Sequence, residues 1–543
     1  TIGAKVPQGW AQYVVGGGKA MSNATETESN VLETAAVNIS DGDITRGAVV
    51  GGGFARAQGA SGSATANVED SVVNLTGGTL VGIVGGGLAE NLGTADSSAT
   101  ANVTTASLTI DGNATVNGII YKGNDGEETP SSAAVIGGGL AYSKNGSKAI
   151  ASVETANTTI NGGTIQGDVY AGGMADGAGA QANVDNANLT IKGGTINGNV
   201  YAGGYALNKG TANVTTAIIT LDGTGAKVNG DFEGNKTSTL TFYNYDDKFN
   251  NAAYGFGTLN VAEGSNVRMD AVVSGKQGTA PEDPKTGFFG ARPDAEGSSN
   301  PITITGGGTI TAKQFHVSTN ANVTIAHGNV VADDVQVQSA TLKVGGESTS
   351  ASLTVNEKLI IDTNHPGNQN IDVENLGTLT LGKNIVLDEN GELKTKYLNT
   401  VPTHVKAGGT LKVNGLEDGK PLTSEELAAL KGLLNSNIQG IPPGEGLLDL
   451  GGADLGEAVK PNADGTVSYD NVAGITTNSL KDTTVTVTDA QNEDGISGGF
   501  QSVKLTGADT ELNAKGTLVL AGSQNGDNLV IDTKGAVADL RVG

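Results

Sequence analysis

Acid–base and metal chemistry in this chain would have to come from few residues. Asp246–Asp247 and Asp333–Asp334 are its adjacent aspartate pairs, and His327–Gly328 lies just upstream of the second. Two carboxylates flanking a glycosidic bond can cleave it, one donating a proton while the other attacks or activates water. That work needs a base or cation in fixed geometry, yet no Arg-x-Lys follows Asp333–Asp334, and an acid pair on a turn is usually just solvated. His316, His327, His365 and His404 lack any metal-type spacing. There is no Gly-x-Ser-x-Gly elbow with triad partners, no P-loop and no Gly-Gly-x-Gly-x-Asp calcium repeat, and Asn492–Glu493–Asp494–Gly495 reads as an acidic turn. With 0 Cys, thiolate nucleophiles, thiolate metal sites and disulfides are excluded. The reading is non-enzymatic, with no catalytic residue, metal site or cofactor.

Binding chemistry is better represented, in two columns defined by an internal repeat. Six copies of a glycine motif run from 14 to 206: Val14-Val15-Gly16-Gly17-Gly18, Val49-Val50-Gly51-Gly52-Gly53, Ile83-Val84-Gly85-Gly86-Gly87, Val135-Ile136-Gly137-Gly138-Gly139, Val169-Tyr170-Ala171-Gly172-Gly173 and Val200-Tyr201-Ala202-Gly203-Gly204. The second residue changes from Val15, Val50, Val84 and Ile136 to Tyr170 and Tyr201. The residue after the glycines runs Lys19, Phe54, Leu88, Leu140, Met174, Tyr205. Neighbouring strand residues point to opposite faces, so one column faces outward as a stripe for glycan or protein, or else forms a second buried layer. Burial is the commoner outcome, because contiguous exposed apolar surface is rare. The other column is polar: Asn74, Thr109, Thr159, Thr190 and Thr220. A threonine ladder can mediate self-association or, in rare solenoids, meet ice; its ordinary reading is β propensity on a wetted face.

The elements that carry these residues follow from the spacing. First positions of the motif are separated by 35, 34, 52, 34 and 31 residues, and an Ala follows two residues after each motif: Ala20, Ala55, Ala89, Ala141, Ala175, Ala206. The long interval contains the polar stretch Lys122 to Ser132, which reads as a loop inserted into one repeat and as a break in any flat threonine array. A second element pairs Val68 with Leu75, Val103 with Ile110, Val153 with Ile160, Val184 with Ile191 and Val214 with Leu221, always seven apart, and Gly-containing corners follow. Strand, corner, strand, corner is the pattern of a solenoid, in which no coil buries its apolar face alone and stacked coils pair along parallel ladders. One 34-residue unit makes either one large coil with a protruding turn or two small ones.

Beyond residue 250 the period shortens. Phe315-His316-Val317, Val335-Gln336-Val337, Leu359-Ile360-Ile361 and Ile385-Val386-Leu387 step by 20, 24 and 26 residues. Ser274 to Pro301, rich in Gly, Pro and charge, reads as a surface loop. Thr423-Ser424-Glu425-Glu426 has a helix-capping signature before Leu427, Leu430 and Leu434, and Pro442-Pro443 stops that helix. Strands resume around Thr484 to Val487, Val503 to Leu505, Leu518 to Leu520 and Leu529 to Ile531. The expected architecture is all-β: a right-handed parallel β-helix with a short helical excursion near 424–434. Its expected parts are 1–250, the glycine-repeat solenoid; 251–415, with 20-to-26-residue coils and the loop 274–301; 416–465, the excursion; and 466–543, the last rungs.

Composition agrees. Of 543 residues 84 are Gly, with only 9 Phe, 11 Tyr and 1 Trp, the mixture of a thin stack of coils with tight corners. A net charge of −25 repels phosphate backbones and anionic membranes, so nucleic acid and lipid headgroups are poor partners. No stretch reaches the roughly 18 apolar residues of a membrane helix.

The wording Gly-Gly-Thr-Ile-x-Gly-x-Val-Tyr-Ala-Gly-Gly at 162–173 and 193–204 resembles passenger regions of bacterial autotransporters, as do Leu-Thr-Leu-Gly at 379–382 and Thr-Leu-Val-Leu-Ala-Gly at 517–522. The likeness covers nearly the whole chain and implies a fold and an export route. It implies a β-helix outside the outer membrane, on the bacterial surface or released from it. It also implies an adhesin or self-associating factor that meets a host surface glycan or protein, or itself. Membrane attachment would come only through a translocator barrel, whose aromatic-girdled strands are not in these residues. Residues 480–543 would correspond to the rungs that fold first. The alternatives are a glycan-active β-helix enzyme and a rigid stalk. Tyr170, Tyr201, Tyr205, Thr109, Thr159, Thr190 and Thr220 are the candidate binding residues.

Overall fold

The computed structural model describes residues 13–44, 48–94, 96–118, 120–122, 128–130, 132–295, 300–318, 320–362 and 370–387. Beyond these it describes residues 390, 403–406, 408–416, 423, 425–426, 447–449, 475–481, 485–488, 502–506, 512–515 and 530–532. The chain forms a parallel β-helix in two compact units. One comprises Thr1–Met269 with Lys276–Asn300, the other Asp270–Gly275 with Pro301–Gly543.

In the first unit each glycine repeat is one coil of four strands, which decides between the single and double coil. The second coil shows the plan: Ala48–Val50, Phe54–Ala57, Ser61–Leu75 and Thr79–Leu80. Each strand pairs in parallel with its equivalents above and below, building four ladders, here sheets I to IV in that order. The motif column read from the sequence is the register of sheet I: Val14, Val49, Ile83, Val135, Val169 and Val200 are successive partners.

The seven-residue spacing has a physical origin. Strict alternation would send Val68 and Leu75 to opposite faces, yet they are 3% and 0% exposed. Glu69 and Asp70 both face outward, so the strand turns a corner there and its inward phase resets, with Ser71, Val73 and Leu75 inside. The same outward pair recurs at Thr104–Thr105, Glu154–Thr155 and Asp185–Asn186.

The glycines are required by close approach. A Cβ on Gly52, Gly86, Gly138 or Gly172 would lie 2.6, 2.6, 2.5 or 2.4 Å from Cγ2 of Val103, Val153, Val184 or Val214 on the following coil. The freed space lets backbone meet backbone. Gly52 N donates to Gly86 O at 2.9 Å, Gly86 N to Gly138 O at 2.9 Å and Gly138 N to Gly172 O at 3.0 Å. Beside this column, sheet II and the N-terminal half of sheet III close on each other as a thin protrusion. Its core is almost wholly alanine: Ala55, Ala89, Ala141 and Ala175 against Ala66, Ala101, Ala151 and Ala182, all at 0% exposure.

The 52-residue interval is accommodated without disturbing sheet III. The extra chain leaves after Thr115–Val116, makes an antiparallel pairing of Ile120–Lys122 with Glu128–Pro130, and returns at Ala133–Ile136. Thr109 pairs directly with Thr159, so the expected break in the threonine column does not exist. The insertion sits at a corner between sheets IV and I, where added length need not alter the register of sheet III.

Coils of the second unit are simpler, with one long and one short strand each. Phe315, Val335 and Leu359 are register partners on Thr309–Ser318, Gly328–Gln338 and Ala351–Asp362, and the short strands Ile302–Thr305, Val323–Ile325 and Thr341–Val344 stack beside them. Ile385-Val386-Leu387, expected as a strand, instead begins in a single-turn helix, Lys383–Val386. Ile385, Val386 and Leu387 are 5%, 0% and 2% exposed. A strand would turn the middle one outward, whereas a helical turn lets all three point in.

Thr423 and Glu426 do form the expected capping box: Glu426 N donates to Thr423 Oγ1 at 3.1 Å and Thr423 N to Glu426 Oε2 at 3.2 Å. Residues 427–434, where the helix was expected, lie outside the described residues, as do Leu518 to Leu520 and His365. Within 416–465, Leu447–Asp449 is a ladder strand pairing with Thr410–Lys412. Among the last rungs, Val485–Thr488 pairs with Leu512–Lys515 and Ser502–Lys504 with Val530–Asp532.

Candidate binding site at the end of the glycine-repeat coils

The two apolar columns of the sequence are one structure. Residues before and after the glycines face each other across the corner between sheets I and II, where Val50 and Phe54, Val84 and Leu88, Ile136 and Leu140, and Tyr170 and Met174 form a second buried cluster outside the alanine core. None of these eight exceeds 3% exposure. Arg56 lies 4.8 Å over the Phe54 ring and pairs with Glu90. Burial holds the Glu90 carboxyl above its ordinary range against the pull of Arg56.

The layer emerges at its last coil. Tyr201, Tyr205 and Leu207 are half-buried, because Tyr205–Leu207 is the final strand of sheet II. Tyr170, by contrast, is 2% exposed and serves as their floor. Its ring stacks on Tyr201 at 4.5 Å and 5° and on Tyr205 at 4.9 Å and 26°. Burial raises the hydroxyl pKa of Tyr170 and Tyr201. Of the three tyrosines singled out in the sequence, two therefore reach solvent.

The column continues into residues that sequence reasoning missed. Tyr201 is the register partner of Glu233, Glu233 of Tyr254, and Tyr254 of Phe289. Beside them runs a polar relay: Asp168 Oδ1 accepts from Asn199 N at 2.7 Å, Asn199 Oδ1 accepts from Asp231 N at 2.8 Å, and Asn199 Nδ2 donates to Tyr201 Oη at 3.1 Å. The span 274–301, expected as a surface loop, contains the ladder strand Gly287–Ala291 with Phe288 and Phe289 buried, because its apolar residues join the coil register. Arg292, directly after that strand, stacks 4.9 Å above Tyr254 and pairs with Glu233 and, at 3.6 Å, with Asp231. Burial is the largest influence on Glu233 and raises its pKa, while Arg292 opposes it. No local signal marks Arg292 as a partner of Asp231, Glu233 and Tyr254, because these lie on earlier coils and meet it only through the coil register.

The polar column lies elsewhere, on the outer face of sheet III. Thr109, Thr159, Thr190 and Thr220 are consecutive partners, each half-buried by its neighbours, and Thr241 and Asn260 extend the row. A parallel asparagine ladder accompanies them: Asn67 Nδ2 donates to Asn30 Oδ1 at 2.8 Å, Asn102 to Asn67 at 2.9 Å and Asn213 to Asn183 at 3.0 Å. Much of this face's hydrogen-bonding capacity is spent along the axis.

Each acid pair contacts neighbouring side chains. Asp333 and Asp334 are the outward pair of a strand corner; Asp333 accepts from Asn356 at 3.0 Å and Asp334 lies 3.8 Å from Lys358. Asp246 and Asp247 both pair with the exposed Arg268. His316 lies near Asp334, and burial lowers its pKa. Among the described residues there is no group of three or more His, Asp or Glu suited to a metal, and no helix long and apolar enough to cross a membrane.

Fold and site together define a parallel β-helical repeat module with an acidic, aromatic ledge. No protein-family model, curated protein or solved structure matches this chain.

Proposed function

We propose that this chain is a secreted or surface-displayed binding module of the autotransporter-passenger kind, an adhesin or self-association factor that contacts its partner at the ledge. The observation that carries this reading is the half-exposed pair Tyr201 and Tyr205, held rigid on the buried Tyr170 and flanked by Asn199, Asp231, Glu233 and Arg292. Rigid aromatic rings next to fixed polar groups offer contact area at low entropic loss. Partners in keeping with it are a host surface glycan or protein, or another copy of the chain. The acids around the ledge and the −25 net charge disfavour nucleic acid. The test is binding of the purified protein to cells, matrix-coated surfaces, glycan arrays and itself. Tyr201→Ser with Tyr205→Ser is expected to weaken the dominant interaction at least tenfold; absence of binding to all four would refute the reading.

A second reading, a glycan-active enzyme, is favoured by one observation, the placing of the Asp231 and Glu233 carboxylates together against Arg292 beside the exposed tyrosines. It requires Glu233→Gln to abolish cleavage of a polysaccharide that the unaltered protein degrades.

A further inference from the structure

The alanine-cored protrusion ends abruptly at its sixth rung. That coil travels from Tyr201 to Ala217 by way of Tyr205–Leu207 and Thr211–Thr216, whereas the next crosses from Glu233 to Ser238 through Gly234, Asn235, Lys236 and Thr237 alone. Tyr205–Leu207 is thus an edge strand of sheet II. On the preceding coil Ser238–Tyr243 reaches Ala217–Asp222 alone, leaving Thr211–Thr216 with no following neighbour among the described residues.

Burial changes at the same rung. Ala175, Ala182 and Val184 are 0%, 0% and 1% exposed, but their partners Ala206, Ala212 and Val214 are respectively exposed, half-buried and half-buried. Gly172 is pressed against Val214, while nothing lies within 4 Å of the position a Cβ would take on Gly203. The slot that a valine of the next coil fills in every earlier rung is open here.

Two neighbouring parallel edges therefore present unpaired backbone above a floor of small apolar side chains. Exposed edges are ordinarily protected by charge, proline or bulges. Tyr205–Leu207 and Thr211–Thr216 contain no charged residue and no proline.

We propose that this rung accepts an extended Gly- and Ala-rich polypeptide, which adds a seventh rung by β-strand addition. The proposal supplies a partner chemistry for the binding-module reading and rests on it. Backbone edges offer alternating N–H and C=O groups at strand spacing, which another backbone matches and a sugar does not. Side-chain demands are equally specific: Gly over Gly203 and Gly204, Ala over Ala206 and Ala212, and Val in the slot at Gly203, the wording of the chain's own rungs. Three residues of one edge and six of the other, at about 3.3 by 4.8 Å each, offer a footprint of about 140 Å². That is far below the roughly 800 Å² per partner that holds two folded copies together, and suits a flexible segment that folds onto the edge.

The probe is a synthetic peptide with the sequence of residues 171–187, titrated into the intact protein by calorimetry and by amide hydrogen exchange. The expected result is saturable one-to-one binding, slowed exchange at Ala206 and within Thr211–Thr216, and no binding of a scrambled peptide. Ala206→Pro and Ala212→Glu, each checked for an unchanged unfolding midpoint, are expected to weaken binding at least tenfold. No peptide binding up to millimolar concentration overturns the proposal, as does equal binding by the scrambled peptide. So does protection of these amides only by a saccharide or only by concentration-dependent dimerisation. A protein that adheres to cells yet ignores the peptide loses this inference and keeps the binding-module reading. Loss of all adhesion removes the reading itself.

Discussion

Gly138 and Val184 lie on successive coils, and a Cβ on the glycine would stand 2.5 Å from Cγ2 of the valine. This contact sets how closely the walls approach, and it recurs from Gly17 to Gly172 but not at Gly203. Gly138→Ala is therefore expected to destabilise the first unit by about 1–3 kcal/mol through overpacking. Gly203→Ala meets no neighbour and is expected to stay within about 0.5 kcal/mol of the unaltered protein. Equilibrium denaturation of both variants decides the matter, and equal effects would contradict the close-approach account.

Stacked tyrosines with different exposure should separate stability from binding. Tyr170→Ala empties the buried position on which two rings stack and is expected to lower stability by about 3–5 kcal/mol. Tyr205→Ser, at the half-exposed edge, should reduce binding in the adhesion assays with a much smaller shift in the unfolding midpoint.

Titration of His316 gives a signed pH dependence. Burial lowers its pKa from 6.5 in the folded protein. Below 6.5 the unfolded chain therefore binds a proton that the folded chain refuses, and stability falls as pH falls through this window. His316→Gln should remove that component. Thermal melts across pH 7 to 5 are expected to show the unaltered protein losing stability relative to the variant as pH falls; a constant difference would show that His316 does not contribute.

Glu233 carries the opposite sign. Its pKa is raised from 4.5, with burial the main cause. As pH rises above 4.5 the unfolded carboxyl ionises first, so stability attributable to this group declines until the folded pKa is passed. Glu233→Gln is expected to gain on the unaltered protein as pH increases through that window. Arg292→Ala should widen the window, because the cation that opposes the shift is gone.

The insertion between Val116 and Ala133 leaves sheet III in register, with Thr109 against Thr159. Replacing residues 119–131 by a short turn is expected to preserve the unfolding midpoint within a few degrees, whereas Thr159→Pro, inside the ladder, should lower it sharply. Differential scanning calorimetry distinguishes the two.

Much of this protein was legible because its register is written into its period. The spacings of 35, 34, 52, 34 and 31 residues between glycine motifs are the offsets of sheet I, so the sequence alone places Val14, Val49, Ile83, Val135, Val169 and Val200 in one column. Period and Gly content suffice for that, since each repeat solves the same local packing problem. The path of each coil was not legible, because only tertiary packing shows that Glu69 and Asp70 turn a corner or that the Ala55 and Ala66 walls meet as a protrusion. Tyr170 and Tyr201 have the same side chain and the same Val-Tyr-Ala-Gly-Gly neighbours in sequence. What distinguishes the floor from the ledge is whether another rung of sheet II follows, a fact held by the shortened crossing at Gly234 to Thr237. Arg292 reaches Glu233 and Tyr254 only because non-local coils share a ladder. Local chemistry determined the repeat and its core; exposure and charge pairing at the site depend on where the stack stops, which tertiary structure alone decided.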